Sequence, residues 1–151
     1  MRLILSLCLT LTFGLTAAFA DSFPSFVSQD LNGKTHSLPA DFPGNPTIVF
    51  IAYKRGQQPD VDTWVRALEL DPDTGPEFVE LPVVGSATRV MKSVVDNGMR
   101  SGIVATSLRR RTITLYENAR KVNAPLGFQG RNNIRVLLVR PSGEVLWKTS
   151  G

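Results

Sequence analysis

Cysteine is almost absent from this chain. It has one in 151 residues, Cys8, inside the longest apolar run, and residues 21 to 151 contain none. That stretch can form no internal disulfide and carry no thiol nucleophile, since the thiolate is the reacting species in both chemistries. Histidine is as scarce. His36 is the only one, and no second metal-type ligand lies near it in sequence, so a metal site and a bound cofactor are not expected. His36 itself reads as a surface or edge residue. Long apolar runs are missing beyond the N-terminus, as are internal repeats and low-complexity segments. The aromatic interleaving of a single-strand nucleic acid groove is lacking too, which argues against nucleic acid as a partner.

The N-terminus is where apolar residues concentrate. After Arg2 no charge occurs until Asp21, and Leu3 to Leu9 opens an apolar core that closes on Ala18-Phe19-Ala20. A basic start, an apolar middle and an A-x-A end predict a secretory signal over residues 1–20, cleaved after Ala20, and a periplasmic protein. The alternative is a retained anchor, because an uncharged run of this length can span a bilayer. Thr10, Thr12, Gly14 and Thr16 dilute that run. Cys8 is not at the end of the segment, so lipidation is not expected. Cleavage leaves 151 − 20 = 131 residues, one domain's worth.

Charge is unevenly distributed. Asp21 to Glu80 holds ten acids and four bases, whereas Leu81 onward holds twelve bases and three acids. Such asymmetry marks a charged partner surface. Arg109-Arg110-Arg111 is its densest point, and it reads as a solvated strand edge or a binding patch.

The rest of the chain is arranged around Thr47 to Trp64. Ile48-Val49-Phe50-Ile51-Ala52 is an unbroken β-branched and aromatic run, short enough for a strand buried on both faces. The polar turn Lys54–Gln58 follows, and then Pro59, favoured at the first position of a helix. Val61, Trp64, Val65 and Leu68 recur at helical spacing. Asp60 and Asp62 suit the first turn, Asp62 and Arg66 form an i,i+4 pair, and Asp71-Pro72 marks the stop. Before this unit, Asn32-Gly33 predicts a hairpin between Phe26-Val27 and Thr35–Leu38. Pro39–Pro46 reads as a loop.

Past the helix, Phe78–Val84 reads as a strand. Ser86 or Thr88 caps a second helix whose apolar face is Val90, Met91, Val94, Val95 and Met99, ending or breaking near Asn97-Gly98 and Ser101-Gly102. Thr112–Tyr116 alternates as a strand does, and a short helix within Glu117–Leu126 ends at Pro125. Phe128–Asn133 is too polar and glycine-rich for either element. Ile134–Val139 and Glu144–Trp147 flank Pro141-Ser142-Gly143 as a terminal hairpin.

This order, with DLNGKTHSLPADFPGNPTIVFIAY and LLVRPSGEVLW, resembles the thioredoxin and peroxiredoxin superfamily. The resemblance implies an α/β fold over residues 21–151: a thioredoxin-like three-layer sandwich with a central mixed sheet, flanking helices and a C-terminal hairpin. It departs where chemistry resides. R-G-Q-Q stands where a thioredoxin-like loop carries C-x-x-C, neither threonine nor cysteine of a peroxiredoxin is there, and no proline precedes Ile134. A narrower resemblance, to cysteine-poor bacterial relatives of the ATP synthase assembly factor ten family, rests on Q-Q-P-D-V-D-T-W from Gln57 to Trp64, I-T-L-Y from Ile113 to Tyr116, and the final V-L-W. It implies help in building a membrane complex.

The expected function is therefore an exported, redox-inactive binding or assembly module for a protein partner, one in a membrane complex on the narrower resemblance. Tyr53, Lys54, Arg55, Gln57 and Gln58 are the candidate contact residues, with Arg109–Arg111 as a further patch. Gln57 and Gln58 have a structural alternative, closing the turn and capping the helix. The competing function is a thiol-independent enzyme using Lys54 and Arg55 on an anionic or peroxide substrate, although no general base is evident beside them.

Overall fold

The computed structural model describes residues 21–151. The N-terminal segment read as a signal lies outside the described residues. Six strands and four α-helices follow in the order β1 (Phe26–Gln29), β2 (Thr35–Leu38), β3 (Thr47–Ala52), α1 (Gln58–Ala67), β4 (Phe78–Pro82), α2 (Lys92–Gly102), α3 (Thr106–Arg111), α4 (Ala119–Asn123), β5 (Arg135–Val139) and β6 (Val145–Ser150). The sheet order is β4-β3-β5-β6. Strand β3 pairs in parallel with β4 and antiparallel with β5, and β5 pairs antiparallel with β6. Strands β1 and β2 form a separate hairpin.

The apolar run of β3 lies inside the sheet, as its composition demands. Side chains alternate across a strand, so β3 feeds two cores at once. Val49 and Ile51 pack with Val79, Leu81, Leu137, Val139, Val122 and Leu126, beneath α4 and the N-terminal hairpin. Phe50 packs with Phe78, Val136 and Ile134, against Val61 of α1 and Leu108 of α3. Helices thus cover both faces of a mixed sheet. The terminal hairpin turns on Gly143, whose φ of +91° requires glycine. The Gly143 carbonyl also accepts from Phe23 N at 2.8 Å, which ties the start of the domain to this turn.

Several local expectations are corrected. Helix α1 has proline in its first turn as expected, but ends at Ala67, ahead of Asp71-Pro72. Asp62 does not meet Arg66. It accepts from Gln58 Nε2, while Arg66 donates to Thr63. Trp64 is half-buried and lies against Trp147, with ring centroids 6.2 Å apart. His36 is buried rather than on the surface, because its Nε2 lies 2.9 Å from the buried Asp30 carboxylate.

The second helix differs most. A 3-10 turn over Ser86–Met91 precedes α2, which runs unbroken to Gly102. Its presumed apolar face is split: Val90 is 91% exposed, Met91 55% and Val94 62%, while Val95 and Met99 are half-buried. The residue it buries is Asp96, which accepts from the Tyr116 hydroxyl at 2.6 Å and pairs with Lys92. Thr112–Tyr116 is extended but forms isolated bridges only, with Thr112 opposite Glu80 and Leu115 opposite Val83, both parallel to β4.

Candidate functional site

Strand β3 delivers its carboxyl end to the turn that begins at Tyr53. A 3-10 turn over Arg55–Gln57 leads directly into α1, and this is the place at which a sheet of this kind presents a loop for binding or chemistry. Gln57 shapes the loop. It is 5% exposed, and its Oε1 accepts from Tyr53 N at 2.8 Å and from Lys54 N at 3.2 Å. Its Nε2 donates to the Arg131 carbonyl at 3.0 Å. One amide therefore closes the loop on itself and fastens it to the loop that precedes β5. The structural alternative for Gln57 is the one the geometry fits.

Tyr53 also points inward. It is buried, its hydroxyl bonds to Asn123, and Asn123 Nδ2 donates to the Gly130 carbonyl at 2.8 Å. Burial pushes its phenol up to about 12, against a smaller opposing effect of the nearby Arg135 guanidinium. Lys54, Arg55 and Gln58 are the members of the expected set that remain on the surface. Lys54 Nζ donates to Asn132 Oδ1 at 3.0 Å, so the two loops meet at a second point.

The arginine triplet lies elsewhere and is not a strand edge. It forms the last turn of α3, where cations favour the C-terminal end of the helix. Arg111 is 6% exposed, with Nη1 at 2.6 Å from Glu77 and donating also to the Phe78 carbonyl, and Nε at 2.8 Å from the Pro72 carbonyl. Arg109 donates to the Ile103 and Arg100 carbonyls. Arg110 is exposed, 3.9 Å from Asp73. The structure does not bring the triplet together with the β3 loop into one surface.

One group at the site was missed from the sequence. Glu80 on β4 lies next to the loop, with Oε2 at 3.4 Å from Gln58 Nε2, and burial raises its carboxyl above the ordinary range. Sequence spacing separates it from the loop, and only the parallel β3–β4 register brings it near. Among the described residues, no group of three or more His, Cys, Asp or Glu could hold a metal ion.

No protein-family model and no curated protein sequence matches the chain. Solved structures do. The pneumococcal exposed lipoprotein thioredoxin of Streptococcus pneumoniae superposes with a TM-score of 0.54 at 15% identity, over 85% of this chain and 90% of that one. The thioredoxin domain of a thiol-disulfide oxidoreductase from Bacteroides vulgatus gives 0.51 at 20% identity, over 89% and 91%. These likenesses are of fold, and the fold is thioredoxin-like.

Proposed function

We propose that this thioredoxin-like domain is a redox-inactive binding module, in which the loop after β3 recognises a protein partner instead of exchanging disulfides. The observation that carries this reading is the Gln57 side chain. In a stretch of chain without any thiol, an amide holds the loop in a fixed shape and leaves Lys54, Arg55 and Gln58 outward. Pre-organised cations and an amide on a rigid frame suit acidic or backbone groups of a partner, at little ordering cost. The narrower resemblance adds the finer proposal that the partner belongs to a membrane complex under assembly, met outside the cytoplasm by an exported chain. Co-purification of the tagged full chain, as wild type and as Lys54→Glu/Arg55→Glu, tests it. A partner retained by the wild type and lost from the charge reversal supports the reading, and identical co-purifying proteins refute it.

Glu80 favours a second reading. A carboxyl raised by burial and in contact with Gln58 of this loop is a general-base candidate, as a thiol-independent enzyme acting on an anionic or peroxide substrate would need. Peroxide turnover by the full chain, abolished in both Glu80→Gln and Arg55→Ala, would establish that reading in place of the first.

A further inference from the structure

The residue that α2 buries is a carboxylate, Asp96, held by the Tyr116 hydroxyl and by Lys92. An aliphatic crest stands outside instead. Ala87 and Val90 are three residues apart in the 3-10 turn over Ser86–Met91, where side chains at that spacing eclipse. Val90 and Val94 are four apart across the join with α2, so the three fall on one line, with Met91 beside it. All four are exposed, and Val90 is almost wholly so. A fold that turns a carboxylate inward and leaves valines outward forgoes apolar burial, and clustered exposed apolar side chains mark interaction sites.

The charges around the crest set the sign of what it meets. Arg89 pairs with Glu117, which also takes Lys121, and Lys92 pairs with Asp96. Arg100, in the last turn of α2, donates to the Leu31 carbonyl and to Asn97, and Arg109 donates to the Arg100 carbonyl. These contacts gather five cations and two carboxylates around one helix, an excess of three positive charges. The cations also lie farther out than the acids. The side chains of Arg89 and Lys121 are 61% and 62% exposed, whereas those of Glu117 and Asp96 are 22% and 12%. Between Glu80 and Glu117 the sequence has no acid except Asp96.

We propose that this crest docks the domain on an anionic lipid surface, with Val90, Met91 and Val94 entering the headgroup layer and the surrounding cations facing lipid phosphates. A side chain as exposed as Val90 stands on a convex surface, which a fluid headgroup layer accepts without a fitted groove. Three small aliphatic side chains hold a bilayer weakly by themselves, and the adjacent cations supply the second attraction that stable contact needs. The contact uses no residue of the loop after β3 and stands independently of the partner-binding reading.

An environment-sensitive fluorescent amino acid placed at position 94 of the full chain tests this. The probes are vesicles of phosphatidylcholine alone and of phosphatidylcholine with phosphatidylglycerol, and the control position is Leu68, exposed at the end of α1. With phosphatidylglycerol present, emission from position 94 should shift to the blue and be quenched by brominated acyl chains, while position 68 does neither. The response at position 94 should weaken as ionic strength rises, and by about twofold or more in Lys121→Gln. Val90→Ser/Met91→Ser, exposed changes that leave every charge in place, should lower partitioning by about fivefold or more. Equal responses at positions 94 and 68, equal insertion into phosphatidylcholine alone, no response with either vesicle, or unchanged partitioning in Val90→Ser/Met91→Ser would overturn the proposal.

Discussion

Gln57 Nε2 donates to the Arg131 carbonyl across 3.0 Å, and this buried side chain fastens the loop after β3 to the loop before β5. The same side chain accepts two backbone N–H groups with its oxygen. Gln57→Ala leaves buried donors and an acceptor unpaired. It should cost about 2–4 kcal/mol, since each unsatisfied buried group costs roughly 1–3 kcal/mol and water can relieve part of the loss. Gln58→Ala, at an exposed position, should stay within about 0.5 kcal/mol. Urea denaturation of both variants checks the contrast.

The arginine triplet should divide in the same way. Arg111→Met removes bonds to the Pro72 and Phe78 carbonyls and unpairs the half-exposed Glu77. A loss of about 2–3 kcal/mol is expected, below the range for a fully buried pair because solvent reaches Glu77. Arg110→Ala should be nearly neutral. Equal losses in the two variants would contradict the placement of α3.

Alkaline stability follows from the tyrosines. The chain has two, Tyr53 and Tyr116, and burial raises both. For a raised pKa the native state holds the proton after the unfolded state has released it, so stability falls as pH rises. The contribution of Tyr53 is fully present below the ordinary value of 10 and is lost as pH climbs toward about 12. Tyrosinate absorbance should therefore rise together with loss of folded signal in this range, and Tyr53→Phe should flatten the dependence. Tyrosinate forming near 10 in the folded protein would contradict the burial.

How much of this was legible in the sequence depended on whether a signal was local. The buried strand β3, Pro59 at the start of α1, the Asn32-Gly33 turn and the Gly143 hairpin each have their own turn chemistry or periodicity, and all are found. Helix α2 was misread because a 3.6-residue pattern gives the face but not which way it packs. The pairing of Asp96 with Tyr116, 20 residues on, decided that. His36 went wrong for a similar reason, since Asp30 makes its burial tolerable only once β1 and β2 are paired. The loop was located correctly, but the inward turn of Tyr53 and Gln57 depends on Asn123 and Arg131, about 70 residues away.

Glu80 supplies a pH test of the site. Burial makes its carboxyl hold the proton more tightly in the folded than in the unfolded state, so its ionisation opposes folding at neutral pH. Glu80→Gln should raise the thermal midpoint at neutral pH, and the gain should disappear below the ordinary carboxylate range, where the wild type is protonated in both states. A gain independent of pH would place its origin elsewhere.

Site-specific crosslinking from position 55 of the full chain, in the cells that make it, tests the binding account most directly. Arg55 is exposed in the loop after β3, whereas Ser142 is exposed in the β5–β6 turn and serves as the control position. The account predicts a discrete partner captured from position 55, not from position 142, and lost when Lys54→Glu is added. The same captured proteins from both positions, unchanged by Lys54→Glu, would contradict it.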